Sequence, residues 1–302
     1  MTPISKGNII GAIAIVLWAT LALFSVLTTR IPPFQLTAMA FSIAFLIGLA
    51  WWIKEKKGIL IHLKLPFKVW VLGIYGLFGY HFFYFMAIKN APALEANLIN
   101  YLWPLLIVLF SAFLPNEKLR WFHIMGVMLG LCGAMLLIGF GKGVEFSGSY
   151  FQGYMYAVLC AILWSSYSVM SRYFGSIPTQ AIGAFCGATA ILSFGAHMLF
   201  EENYIPTSVE LLATIGLGIG PVGVAFFVWD YGMKRGDIKF LGSLAYATPL
   251  LSTLMLIIFN LGQPNSLIWI ACALIVGGSI ISAFPFFQGL LKRFKTRNLP
   301  LS

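Results

Sequence analysis

Charge is what this chain lacks: 9% of its 302 residues are Asp, Glu, Lys or Arg, and nine of them are acids. A soluble domain carries about 25% charged residues, so this chain has no means of covering a water-facing surface. Cysteine is also scarce. Cys132, Cys160, Cys186 and Cys272 fall in apolar stretches without metal-ligand spacing, which reads as packing rather than a disulfide framework or a zinc site. His62, His81, His123 and His197 are scattered over four segments, and there is no His-Glu-x-x-His, no Gly-x-Ser-x-Gly and no paired intramembrane Asp. A membrane enzyme therefore has no visible machinery. The polar stretches (Lys54 to Lys68, Phe140 to Tyr150, and the tail from Lys292) are too short to bury a core of their own.

Hydrocarbon fills the space instead, with 60% hydrophobic and 16% aromatic residues and a mean hydropathy of +0.91. A helix needs about 20 apolar residues to cross a bilayer, and runs of that kind are predicted at 7–29, 33–53, 68–89, 93–114, 120–140, 151–173, 178–199, 209–232, 239–260 and 266–289. The first, Ile9 to Leu27, exceeds a signal-peptide core and follows only Lys6, so it reads as a span rather than a cleaved leader. The net charge of +10 would suit nucleic acid, but its distribution says otherwise. If connections alternate between the two membrane faces, 16 of the 19 Lys and Arg fall on one face, and Arg30, Lys89 and Lys142 on the other. By the positive-inside rule both termini are cytoplasmic, and no nucleic-acid partner is expected. A lipid-headgroup role for the Lys54–Lys68 loop is an alternative use of part of that charge.

A duplication is legible. An offset of 146 carries Gly7 onto Gly153, Trp18 onto Trp164, Ser25 onto Ser171 and Ile31-Pro32 onto Ile177-Pro178. An offset of 145 carries Leu72-Gly73-Ile74 onto Leu217-Gly218-Ile219, Lys89 onto Lys234, and Tyr101-x-x-Pro104-Leu105-Leu106 onto Tyr246-x-x-Pro249-Leu250-Leu251. Five spans per copy is an odd number, so the second copy enters from the opposite face. The expected fold is an all-α polytopic membrane protein, ten helices as two inverted five-helix repeats, residues 1–145 and 146–302, with the solute site between them near the midplane.

Five plus five spans, a Trp in the first helix of each half, and Phe113-Leu114-Pro115-Asn116-Glu117-Lys118-Leu119 leading to Gly126 and Gly133 resemble the EamA-type exporters of the drug/metabolite transporter superfamily. Gly79-Tyr80-His81-Phe82-Phe83-Tyr84-Phe85, with the high aromatic content, is most similar to the bacterial aromatic amino acid exporters. The resemblance implies a bacterial inner-membrane exporter. One departure stands out: Phe259-Asn260-Leu261-Gly262-Gln263-Pro264 has Gln263 where the family repeat usually has Glu.

Polar side chains deep in a span usually face a cavity or another helix. On that ground Tyr80, His81, Tyr84, Asn100, Tyr101, Trp103, Trp164 and Tyr246 are the candidate substrate-binding residues; any single Tyr among them reads rather as packing, and it is the convergence of several rings without charge that favours a cavity lining. Pro104, Pro221 and Pro249 are candidate structural kinks; a proline without an N–H frees the carbonyls of Asn100 and Ala245 for other donors. Those carbonyls suit an ammonium, hydroxyl or amide donors and His81 suit a carboxylate, and ring faces suit an aromatic side chain. Asp230 and Lys234, one turn apart, read as a structural ion pair. Gly73, Gly76 and Gly79, and Gly216, Gly218, Gly220 and Gly223, read equally as moving elements or as tight packing; Gly126-x-x-x-Gly130 favours packing within one chain over a dimer. The resulting expectation is an exporter of amino acids, aromatic ones included, working as a monomer by alternating access and facilitated diffusion, with no cofactor and no metal. The alternative is an exporter of other uncharged or cationic metabolites or drugs, with proton coupling through His81.

Overall fold

The computed structural model describes residues 2–56, 58–115, 117–139, 146–260 and 266–282. Among them there is no strand. Nine helices are long and apolar enough to cross a membrane: α1 (Pro3–Leu27), α2 (Pro33–Glu55), α3 (Phe67–Asn90), α4 (Ala93–Phe113), α5 (Trp121–Gly139), α6 (Gly148–Tyr173), α7 (Ala181–Phe200), α8 (Ser208–Arg235) and α9 (Ile238–Ile258). The described part of α10 is shorter, Leu267–Ser282. The expected end of that span and the expected boundary between repeats at residue 145 lie outside the described residues, as does Gln263. Helix α1 begins earlier than hydropathy suggests, because Thr2 accepts from the Ser5 N–H at 3.2 Å and Pro3 fits the first turn.

The helices pack with a pseudo-two-fold logic. Equating α1 to α5 with α6 to α10 turns the α1·α8 contact into α6·α3 and the α1·α9 contact into α6·α4, while α2·α7 and α5·α10 map onto themselves. Glycine sets two of these approaches. A Cβ on Gly7 would collide with the backbone of Gly236, and one on its equivalent Gly153 would collide with Ala91. Gly126 faces Gly278 of α10 and Gly130 faces the Tyr246 ring of α9, so the Gly126–Gly130 stripe is consumed by packing inside the chain. At α2·α7 each helix end holds the start of the other: Gln180 Nε2 donates to Glu55, and the Phe34 and Gln35 N–H groups donate to Glu201 at 2.8 and 3.0 Å. Gln35 and Gln180 are repeat equivalents, as are Glu55 and Glu201.

Regular helix fails in matched places. A π-helical turn occupies Tyr75–Gly79 in α3 and another occupies Gly220–Val224 in α8, related by the 145-residue offset. Such turns recur at functional sites because they widen the helix and re-aim side chains. Pro221 sits inside the second. Helix α4 breaks at Tyr101–Leu102 just before Pro104, and α9 at Ala245–Tyr246 before Pro249.

Candidate functional site

A cavity of about 540 Å³ lies between the two repeats. Its lining reaches Ser25 near the end of α1, Leu36 near the start of α2, Phe85 near the end of α3, Asn97 near the start of α4 and Leu256 near the end of α9. All of these ends border one face of the bundle, the face carrying residues 28–32, 91–92 and 201–207. Toward the other face the lining stops at mid-helix.

Indoles close it there. Trp18, its repeat equivalent Trp164, and Trp103 line the cavity, and Trp229 lies beneath them. The Trp18 ring sits 5.0 Å from Trp229, 5.7 Å from Trp164 and 6.0 Å from Trp103, mostly edge to face. Trp18 Nε1 donates to the Pro221 carbonyl at 3.1 Å in the π-helical turn of α8, and Trp229 Nε1 donates to Ser168 at 3.1 Å. Both donors are thus satisfied, as buried indoles require.

The α3–α4 wall carries the polar groups. Because α3 widens at Tyr75–Gly79, Tyr80, His81 and Tyr84 follow on the cavity side. Tyr84 donates its hydroxyl to Asn97 Oδ1 at 2.8 Å, and Asn100 Nδ2 donates to Tyr80 Oη at 3.0 Å. Asn100 is 5% exposed and its Oδ1 has no hydrogen-bond partner. His81 Nδ1 lies 2.8 Å from the Leu77 carbonyl. A carbonyl only accepts, so Nδ1 holds the hydrogen and Nε2 of the neutral ring is an acceptor. The carboxylate contact expected of His81 would need a second hydrogen, on Nε2, whereas a neutral ring offers an acceptor there.

The opposite wall is a stretch of α9 in which Pro249 is joined by three hydroxyls that reading by residue type passed over, Thr248, Ser252 and Thr253. Thr248 Oγ1 is a second buried polar atom without a partner, whereas Thr253 Oγ1 donates to the Pro249 carbonyl at 2.8 Å. The available sequence signal was the run Thr248-Pro249-Leu250-Leu251-Ser252-Thr253, whose hydroxyls return at helical spacing after the kink.

Of the eight sequence candidates, Tyr80, His81, Tyr84, Asn100, Tyr101, Trp103 and Trp164 line this cavity together. Tyr246 does not. It is 0% exposed, and its hydroxyl accepts the Leu105 N–H at 3.2 Å, a donor left free by the break in α4. The symmetry that made Tyr246 a candidate is broken by the shape of the cavity, which admits its equivalent Tyr101 and seals Tyr246 behind α4.

None of the lining residues is Asp, Glu, Lys or Arg. A buried ion pair lies past the indole floor. Asp230, 3% exposed, receives Lys234 Nζ at 2.8 Å, Ser171 at 2.6 Å and Thr179 at 2.7 Å, and Lys234 also donates to the Ile177 carbonyl at 2.9 Å. This is the expected structural pair, embedded in a network within the second repeat.

A ten-helix bundle with an internal repeat and one uncharged cavity at the repeat interface defines a membrane transporter rather than an enzyme. The chain matches the EamA-like transporter family twice, over residues 5–139 and 151–284, and it belongs to that family. It is 51% identical over 279 residues to the aromatic amino acid exporter YddG of Ancylobacter novellus, covering 92% of this chain and 97% of that protein. The protein of the same name from Escherichia coli is 23% identical over 294 residues, covering 91% and 96%. A crystal structure 50% identical in sequence superposes with a TM-score of 0.89, covering 93% of this chain and 98% of that one.

Proposed function

We propose that this transporter exports amino acids, aromatic ones included, across a bacterial inner membrane by alternating access, as a monomer with both termini in the cytoplasm. The observation that carries the reading is the pairing of an uncharged, ring-lined cavity with two buried polar atoms lacking partners, Asn100 Oδ1 and Thr248 Oγ1. Buried polar atoms are nearly always bonded, so an unpaired one inside a cavity suits a ligand or water. Asn100 Oδ1 and His81 Nε2 suit an ammonium. The hydroxyls of Thr248 and Ser252 suit a carboxylate, and the faces of Tyr84, Trp103 and Trp164 suit an aromatic side chain. The names of the exporters from Ancylobacter novellus and Escherichia coli support the same substrate class.

Transport is facilitated diffusion on this reading, since tight coupling usually relies on a buried group that changes protonation during turnover. Glu95 and Asp230 stand near helix ends, and their repeat equivalents are Phe240 and Phe85. A second reading, export of other uncharged or cationic metabolites or drugs, is favoured by the cavity volume of about 540 Å³, which lies in the range that holds drug-sized ligands.

The test is uptake into proteoliposomes with a panel of labelled amino acids, competed by unlabelled amino acids and by organic cations. Saturable flux of aromatic amino acids with counterflow is the expected result. Flux blocked by organic cations and indifferent to every amino acid would transfer the protein to the second reading.

A further inference from the structure

The face away from the cavity is held shut by charges that cross between the repeats. Glu117, in the loop after α4, belongs to the first repeat. Its Oε1 receives Arg172 Nη2 at 2.9 Å, and its Oε2 pairs with Lys239. Both cations belong to the second repeat, one at the end of α6 and one in the first turn of α9. Arg172 is itself fixed by donating from Nη1 to the carbonyls of Met233 at 2.9 Å and Gly236 at 2.7 Å, at the α8–α9 turn. One carboxylate therefore clamps three helix ends of the opposite repeat. These side chains are largely withdrawn from water, with 18% exposure for Glu117, 25% for Arg172 and 9% for Lys239, so solvent screens them less than an open surface pair.

The repeat has no copy of this clamp among the described residues. The offsets that carry Trp18 onto Trp164 and Tyr101 onto Tyr246 relate Arg172 to Val26, Lys239 to Leu94 and Asp230 to Phe85. If each repeat takes up the other's arrangement when the carrier turns over, the cavity-bearing face closes by contact of apolar side chains, where this face closes by ion pairs. The two closures differ in chemistry, so the two conformations differ in energy when the cavity is empty.

From this we infer that Glu117 is the positioning residue that holds the ligand-free carrier closed on its own face, with the cavity facing the loop that joins α3 to α4. The inference rests on the alternating-access reading given above. Under the orientation proposed there, Glu117 faces the cytoplasm, so a substrate leaving the cell must first displace the Arg172 and Lys239 contacts. Binding from inside then carries a conformational cost that binding from outside does not. The half-saturation concentration should accordingly be higher on the cytoplasmic side.

Spin-label distances in the ligand-free protein test it, in a background with the four cysteines replaced by alanine. One label pair, at Lys118 and Ser176, spans the ion-paired face; another, at Ala93 and Val209, spans the cavity face. All four sites are exposed. Glu117→Gln should enlarge the population with a lengthened first distance and a shortened second one about tenfold, and lower the half-saturation concentration from the Glu117 side more than it changes the maximal rate. Glu117→Asp, which keeps the charge, should retain the wild-type distribution. Two results would overturn the inference: unchanged distances in Glu117→Gln, or an equal shift in Glu117→Asp. Counterflow is measured on the same preparations. Its absence in the wild type would remove the alternating-access reading, while the label distances still decide the role of Glu117.

Discussion

Asn100 and Tyr80 are joined by one hydrogen bond of 3.0 Å that orients the amide so that its nitrogen is used and its oxygen is left free at the cavity wall. Tyr80 on α3 thereby decides which end of the Asn100 side chain a solute meets. The pair spans the junction of the widened turn in α3 and the broken turn in α4, the two irregularities that shape this wall.

Asn100→Ala removes the free acceptor. It should raise the half-saturation concentration for amino acids about tenfold, the equivalent of about 1.4 kcal/mol, with a smaller change in maximal flux. Tyr80→Phe releases the amide to rotate and should weaken binding by less. Saturation curves in proteoliposomes measure both, and an unaltered curve for Asn100→Ala would remove Asn100 from the site.

Tyr246→Phe separates packing from binding. The hydroxyl satisfies the Leu105 N–H, so its loss should destabilise the fold by about 1–3 kcal/mol, the cost of stranding a buried donor. Amino acid affinity should stay within twofold. Thermal unfolding followed by flux gives both numbers, and the reverse pattern would return Tyr246 to the cavity wall.

This difference between Tyr101 and Tyr246 marks how far the sequence could be read. Spans, duplication and the Trp18–Trp164 pair were legible because each is carried by residue type and spacing alone. Repeats are equal in sequence but unequal in any one conformation, so periodicity has no means of saying which copy of a tyrosine faces the cavity. The hydroxyls of α9 escaped notice for another reason. Thr and Ser in helices commonly bond back to their own carbonyls, as Thr253 does, and residue type does not show that Thr248, on the cavity wall, departs from that habit. The π-helical turns followed neither from Gly73, Gly76 and Gly79 nor from Gly220 and Gly223, since glycine permits a widened turn and packing selects it.

Asp230→Ala should destabilise the protein by about 3–5 kcal/mol, because it leaves the Lys234 ammonium buried without its anion. Asp230→Asn with Lys234→Met removes both charges and should recover much of the loss. Unfolding midpoints in detergent measure the pair. A double variant as unstable as Asp230→Ala would mean that Ser171 and Thr179, rather than the ion pair, set the stability of this end.

Tags on both termini should resist protease added outside intact cells and be cleaved after the membrane is opened. The basis is the placement of 16 of the 19 basic residues on the face shared by the termini. Cleavage of either tag in intact cells would invert the proposed orientation, and with it the side from which Glu117 opposes binding.

An imposed pH difference, without an amino acid gradient, should drive no net accumulation in proteoliposomes. Coupled transport would need a group in the cavity to gain and lose a proton with each turnover, and the cavity lining holds no acid, Lys or Arg. His81 is the remaining candidate on that wall, with an unperturbed pKa of about 6.5. Its Nδ1–H is committed to the Leu77 carbonyl, and its ring meets Phe41 and Tyr80 edge to face at 5.0 and 5.1 Å. Aromatic rings flank it on two sides, and no acid lines the cavity to pair with a proton on Nε2. His81→Gln, which keeps a polar side chain without a titratable group, should therefore leave the response to a pH difference as flat as in the wild type. Concentrative uptake by the wild type that collapses with a protonophore, and disappears in His81→Gln while counterflow persists, would establish proton coupling at His81 and replace facilitated diffusion.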